Sequence, residues 1–197
     1  MSCIQDTECR ENGNKEDYLF SPEVLTNLDS SDFRGDYKNG ISPLKPGPDL
    51  CARPLSSGDY DKGYLDLLTE LTIVGDISRD TFLNQFYKMK ACGDNYYIIV
   101  IEDLSKNKII GTATLVIEKK FIHHVSSRAR VEDVVVSNEY RGLQLGKVLL
   151  DILVCLSKKM GSYKVSLECK DHNVKFYEQF GFEKAPEQNF MHIRYFD

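Results

Sequence analysis

The sequence predicts an α/β protein: a mixed, mostly antiparallel sheet with one parallel βαβ unit and helices on both faces. Three observations predict it. "VEDVVV" (131–136), a β-branched run, is followed by a glycine turn, a helix of clear apolar period and the alternating segment "YKVSLEC" (163–169). Strand, helix and strand in that order form a βαβ unit, whose two strands run parallel. Ahead of it, "NYYIIVIED" and "KIIGTATLVIEKKFIH" flank the polar linker "DLSKNK", the pattern of an antiparallel hairpin.

Taken in order, residues 1–49 are rich in Asn, Asp, Ser, Gly and Pro and close on "NGISPLKPGPDL", where prolines and glycines deny regular structure. They read as a mobile polar extension in which only the apolar patch Tyr18–Leu28 docks. The domain itself is expected over 50–197. "LCARPLSSGDYDKGYLDLLTEL" reads as strand, turn and helix, with Tyr64, Leu67, Leu68 and Leu71 on the helix and Asp59 or Ser57 as its cap. Ser78 precedes a second helix, with Asp80 in its first turn and Phe82, Phe86 and Met89 on one face. The apolar end of "VEDVVV" predicts burial on both faces, and in a regular strand Glu132 and Asp133 face opposite ways. Leu145, Val148, Leu149, Ile152, Leu153 and Leu156 make one helical stripe, stopped by Gly161. "HNVKFYEQF" is a short aromatic helix closed by Gly181, and "FMHIRYF" (190–196) a last strand.

Composition narrows the function classes. The net charge of -5 argues against a nucleic-acid binder held by phosphate attraction. No apolar run approaches the ~20 residues that span a bilayer, and the acidic start has no signal-peptide core. The six cysteines (Cys3, Cys9, Cys51, Cys92, Cys155, Cys169) show no CxxC pair and no metal-like spacing. Cys155 and Cys169 lie in apolar-periodic segments and read as reduced core residues of a cytosolic protein.

The turn between "VEDVVV" and the leucine helix carries the chemistry. A helix starting near Leu143–Leu145 leaves its first N–H groups without intrahelical partners and adds partial positive charge. Gly142 and Gly146 bare the backbone, and Arg141 adds a fork of donors. A phosphate or diphosphate fits there; a plain strand–helix connection with packing glycines is the alternative. A Walker loop is excluded because no GKS or GKT follows, and "RGLQLG" lacks the GxGxxG spacing of a dinucleotide site.

"YRGLQLGKVLL" resembles the coenzyme A loop of the GNAT acetyltransferases, Arg/Gln-x-x-Gly-x-Gly/Ala, with Gln144 where the central glycine usually sits. Across residues 50–197, "LTIVG", "EKKFIH", "RVEDVVVSNEYRGLQLGK", "LECKDHNVKFYEQFGF" and "MHIRYF" are similar, in that order, to the glucosamine-6-phosphate N-acetyltransferases. The resemblance implies the GNAT fold and transfer of acetyl from acetyl-CoA to the 2-amine of glucosamine 6-phosphate, directly in a ternary complex and with no metal. It implies that the backbone of Val134, Val135 and Val136 flanks the pantetheine arm and polarises the thioester. The amides of Gly142, Leu143, Gln144, Leu145, Gly146 and Lys147 would take the pyrophosphate, with Arg141 adding its charge, and Asn173 would contact the coenzyme.

The resemblance also sets Glu132, Asp133 and Val134 against the sugar. Lys120, Phe121, Ile122, His123, Arg194 and Thr72 would stand on its phosphate side. Glu168 would be a proton acceptor, and Tyr177 would serve the departing thiolate. It further implies a cytoplasmic homodimer in which "FMHIRYF" exchanges or pairs between chains, in the supply of UDP-N-acetylglucosamine. On the residues alone, several of these positions have structural alternatives: Lys120 as a solvated charge, Tyr177 as core, Asn173 as a helix cap, Glu168 as a surface acid. Two other function classes stay open, a GNAT enzyme for a protein, peptide or polyamine amine, and a non-catalytic coenzyme A-binding module.

Overall fold

The computed structural model describes residues 17–195. Five strands pair in sequence order: β1 (Leu50–Pro54), β2 (Tyr96–Asp103), β3 (Lys108–Lys119), β4 (Ser127–Val136) and β5 (Ser162–Ser166). The first three pairings are antiparallel and β4 with β5 is parallel, as the hairpin and βαβ readings require. Helix α5 (Leu145–Lys159) makes the crossover. It packs one face of the sheet with Ile99, Ile101, Ala113, Leu115, Ala129 and Val131. The other face meets α2 (Tyr64–Thr69) and α3 (Arg79–Ala91), where Tyr64, Leu67, Phe82 and Phe86 close over Ile98, Val100 and Val135. Ser78 caps α3, its hydroxyl accepting from the Thr81 amide at 3.2 Å.

Several expectations are corrected. Helix α2 begins after Gly63 with no side-chain cap. Asp59 is instead fully buried, accepting from the Arg53 guanidinium at 2.6 and 2.8 Å and from the Ser56 amide at 2.7 Å, with Glu102 on the same guanidinium. Two charges so placed hold only because each oxygen is matched. Strand β3 stops at Lys119, and Ile122–Val125 form a short turn in which His123, His124 and Val125 are left-handed. Cys155 is buried but Cys169 is exposed; Cys3 and Cys9 lie outside the described residues. Residues 190–195 form no strand: Phe190, Met191, Ile193 and Tyr195 are exposed, and β5 is left as an unpaired edge among the described residues.

From Asp17 onward the polar segment is packed. Leu19, Leu25 and Leu28 are buried, the last two in the α5-side core, and Phe33 and Tyr37 pack on it. This cover explains why α5 is buried on more than the expected stripe, with Leu150, Asp151 and Val154 enclosed as well. A helix apolar nearly all round needs neighbours on both sides.

Candidate active site

Strand β4 is not regular, and the site starts from that. Thr112 pairs with Val135 but Thr114 pairs with Glu132, so β4 carries one extra residue, and Asp133 sits there at φ 52°. Such a bulge reverses the alternation beyond it. Val131 points to the α5-side core, while Val135, four residues on, points to the α2–α3 side. The expected two-faced burial of "VVV" is replaced by a buried Val135 between half-buried Val134 and Val136. Glu132 and Asp133 therefore do not oppose each other as in a flat strand. Asp133 lies near the buried Tyr64 phenol of α2. Partial desolvation pushes the Asp133 carboxyl up from the ordinary carboxylate range, although the residue as a whole is exposed. Burial first, and then the Asp133 charge, push the Tyr64 phenol up too.

Beside the bulge the sheet parts. Strand β5 pairs with β4 only from Ser127 to Arg130, opposite Ser162–Ser166. From Val131 to Val136 that edge of β4 has no strand against it among the described residues. Where the strands separate, Arg130 reaches Glu132 at 2.8 Å and Glu168 at 3.1 Å. Glu168 lies just beyond the end of β5 and, with Arg130, Cys169 and Tyr177, lines a cavity of about 1160 Å³. Tyr177 stands on α6 (Val174–Glu178), its ring packed by Phe176 and Phe182 at 5.1 and 6.1 Å. Its hydroxyl has no hydrogen-bond partner among the described residues, and burial pushes its pKa up, so it is a proton donor across the physiological range. Asn173 does not cap α6 through its side chain.

After β4, the 3₁₀ turn Asn138–Tyr140 is anchored at both ends. The Asn138 amide donates to Glu70 at 2.8 Å, and the Tyr140 hydroxyl donates to Asp103 at 2.6 Å. The chain then turns through Gly142 (φ 83°) and Gln144 (φ 62°) into α5. Among the described residues, no protein acceptor faces the amides of Gly142, Leu143, Gln144, Leu145, Gly146 or Lys147; the first amide taken up is that of Val148, by the Gln144 carbonyl at 3.1 Å. A Cβ on Gly142 would meet nothing within 4 Å, whereas one on Gly146 would touch the Phe176 ring at 3.6 Å. A cradle of outward main-chain donors at a helix start suits a diphosphate.

The residues expected on the phosphate side are elsewhere. Lys120 pairs with Glu118 at 2.5 Å, and the His123 ring lies 4.1 Å from that of Tyr163. Phe121 is 96% exposed and Ile122 59%. This segment follows Lys119, which pairs with Ser127 at the start of β4. It is thus on the order of 20 Å along the strand from Asp133. Arg194 is exposed and makes no hydrogen bond or ion pair among the described residues. Thr72 is exposed on the loop that Glu70 ties to Asn138, near the end of β4. Within one chain the structure therefore joins Glu132 and Glu168 through Arg130, sets Tyr177 in the same cavity as Glu168, and places Gly146 of the bare loop against Phe176, while Lys120 and His123 lie far from Asp133 along β4. Tyr64 and Arg130 were not singled out from sequence. Tyr64 read as one of a helical apolar set, and a charge inside the "RARVED" alternation was the only hint for Arg130.

A bulged central strand, a parted sheet and a bare helix start define an acyl-coenzyme A transferase architecture, and the sequence signature of the Acetyltransferase (GNAT) family matches residues 65–182. The chain belongs to the GNAT acetyltransferase family, and within it to the glucosamine 6-phosphate N-acetyltransferases. It is 49% identical over 183 residues to a Drosophila melanogaster protein named "Probable glucosamine 6-phosphate N-acetyltransferase", covering 92% of this chain and 83% of the relative. It is 39% identical to glucosamine 6-phosphate N-acetyltransferase 1 of Dictyostelium discoideum, over 73% of this chain and 91% of that one. The crystal structure of glucosamine-6-phosphate N-acetyltransferase from Arabidopsis thaliana superposes with a TM-score of 0.70 at 36% identity, covering 75% of this chain and 99% of that one.

Proposed function

We propose that this chain transfers the acetyl group of acetyl-CoA to the 2-amine of D-glucosamine 6-phosphate, giving N-acetyl-D-glucosamine 6-phosphate and CoA. The observation that carries the reading is the run of unpartnered amides from Gly142 to Lys147 beside the parting of β4 and β5. The names of the relatives support the choice of acceptor.

In this reading the amides of 142–147 and Arg141 take the diphosphate, and Asn173 adds a polar contact. The open edge of β4 at Val134–Val136 lies along the pantetheine arm, and an N–H from it, aimed at the developing oxyanion, contributes about 3 kcal/mol. Glu132 and Asp133 hold the sugar hydroxyls and amine. The amine attacks the acetyl carbon, the carbon–sulfur bond breaks, and the Tyr177 hydroxyl protonates the departing thiolate. Glu168, directly or through a water, receives the proton lost from nitrogen. An amino-sugar amine, flanked by electron-withdrawing oxygens, loses that proton more readily than a lysine-like amine near 10.4.

Lys120, His123 and Arg194 bind the sugar phosphate, with Phe121, Ile122 and Thr72 lining that side. The distance of Lys120 and His123 from Asp133 within one chain calls for a second copy, so in this reading the active form is a homodimer. The open β5 edge and the exposed Phe121, Val125, Met191 and Ile193 support it. No helix among the described residues is long and apolar enough to cross a membrane, and Cys92, Cys155 and Cys169 are free thiols, in keeping with a cytosolic enzyme that supplies UDP-N-acetylglucosamine.

A thiol-release assay with glucosamine 6-phosphate, glucosamine and a lysine peptide tests the acceptor. The phosphosugar should be preferred over glucosamine by at least ~100-fold, as loss of charge-assisted contacts requires. Equal rates on glucosamine would remove the role of the basic residues, and preference for the peptide would replace the acceptor altogether. Intersecting double-reciprocal lines are expected; parallel lines would rule out direct transfer.

A further inference from the structure

Residues 34–38 lie across three parts of the site that are distant in sequence. The Arg34 and Gly35 amides donate to the two carboxylate oxygens of Asp151 at 2.8 and 2.9 Å. The Tyr37 hydroxyl lies 3.0 Å from Asp151 and 3.1 Å from the Lys147 carbonyl, in the first turn of α5. Asp151 is fully buried, an acid in the middle of a leucine helix. One residue further on, Lys38 and Gln144 form a reciprocal amide pair. The Lys38 N–H donates to Oε1 at 3.2 Å, and Nε2 donates to the Lys38 carbonyl at 3.4 Å. In the other direction the Arg34 guanidinium donates to the Phe180 carbonyl at 2.9 Å, just beyond the helix that carries Tyr177. It also fills the space over Gly181, where a Cβ would collide with it.

Gln144 occupies the left-handed region, which disfavours a non-glycine residue. The loop around it gathers N–H groups with no protein acceptor among the described residues. Left alone, such a loop relaxes toward conformers that hide those donors. The amide pair to Lys38 and the Tyr37 hydroxyl on Lys147 oppose that relaxation without using any outward donor. The segment precedes residue 65, where the family signature begins.

We propose that residues 34–38 are a positioning brace: they preform the diphosphate loop and fix its distance from the Tyr177 helix, raising affinity for coenzyme A without touching it. The inference rests on the acetyl-CoA reading above. Tyr37, Arg34 and the Gln144 side chain are the positioning groups, and Asp151 is the anchor.

The test uses the full chain with Tyr37→Phe and, separately, Gln144→Gly. Coenzyme A binding is measured by calorimetry, KM and kcat by thiol release, and exchange of the 142–147 amides by mass spectrometry. Each variant should raise Kd and the KM for acetyl-CoA ~5-fold, the loss of about one hydrogen bond, with kcat within about twofold. Amide exchange in the loop should quicken. The double variant should lose less than the product of the two effects, because both act through one loop. Gln144→Gly keeps the left-handed turn and every partner of Asp151, so it reports even where Tyr37→Phe fails to fold. Unchanged Kd in folded Gln144→Gly, or a fall in kcat with Kd preserved, would overturn the brace. Wild-type chain that binds no coenzyme A would overturn the acetyl-CoA reading with it, whereas wild-type binding with unaffected variants removes the brace alone.

Discussion

Arg130 and Glu168 meet at 3.1 Å where β4 and β5 separate, and the same guanidinium holds Glu132 at 2.8 Å. Arg130 pairs in register with Ser166, the end of the parallel ladder. One cation thus steadies two carboxylates on strands that no longer support each other. Replacing Arg130 by Ala should lower kcat ~10-fold by letting Glu168 wander, with coenzyme A affinity unchanged. Arg130→Lys should recover part of the rate. Equal kcat for Arg130→Ala and the parent would make the pair a surface contact.

Asp133 should show a trade between stability and turnover. Its pKa is raised by burial, so folding favours the protonated form. Its contribution to stability is greatest in acid and is lost as pH rises through the raised pKa. Because the residue stays open to solvent, Asp133→Asn should melt only slightly higher than the parent at neutral pH, and the gain should vanish below the carboxylate range. The same variant should lose most acceptor turnover. A variant that melts lower at pH 7 would contradict the burial argument.

Asp103 shifts the other way. The Ser105 hydroxyl at 2.6 Å and then the Tyr140 hydroxyl at 2.6 Å hold its pKa at about 2. The stability it lends is present above the unfolded value near 4 and disappears as pH falls toward about 2. Since Tyr140 precedes the diphosphate loop, Tyr140→Phe should cost about 1–2 kcal/mol in urea unfolding at pH 7. The acid limb of its stability curve should be shallower than the parent's. Parallel acid limbs in the two proteins would show that the hydroxyl does not set the carboxyl.

Tyr177→Phe should slow turnover by ~10–100-fold while leaving coenzyme A affinity within about twofold, since it removes a proton donor and little contact area. An unchanged rate would assign the ring to packing with Phe176 and Phe182.

Much of the fold was legible because its signals are local. The hairpin strands, the Ser78 cap and the stripe on α5 depend on periodicity and on residues next to one another. The bulge at Asp133 was not legible, because an extra residue is defined only against the partner strand. The segment "FMHIRYF" has strand composition, yet composition cannot say which edge receives it, and within this chain none does. The brace was hidden for another reason: three of its donors are main-chain N–H groups, which every residue but proline carries. A signal did exist, since Leu150, Asp151 and Val154 extend the helix's buried surface beyond one stripe, and an acid among them needed partners. On the candidate site, the glycine loop was legible as a local pattern, while the separation of Lys120 and His123 from Asp133 within one chain was not, because it depends on where β4 begins.

The coenzyme grip proposed for residues 142–147 is spelled in peptide bonds, so conventional alanine scanning is blind to it. Every side chain there other than glycine could be truncated and the donors would persist. Chemical ligation that swaps a single amide for an ester, one position at a time, would expose each donor separately and leave the amino-acid alphabet untouched.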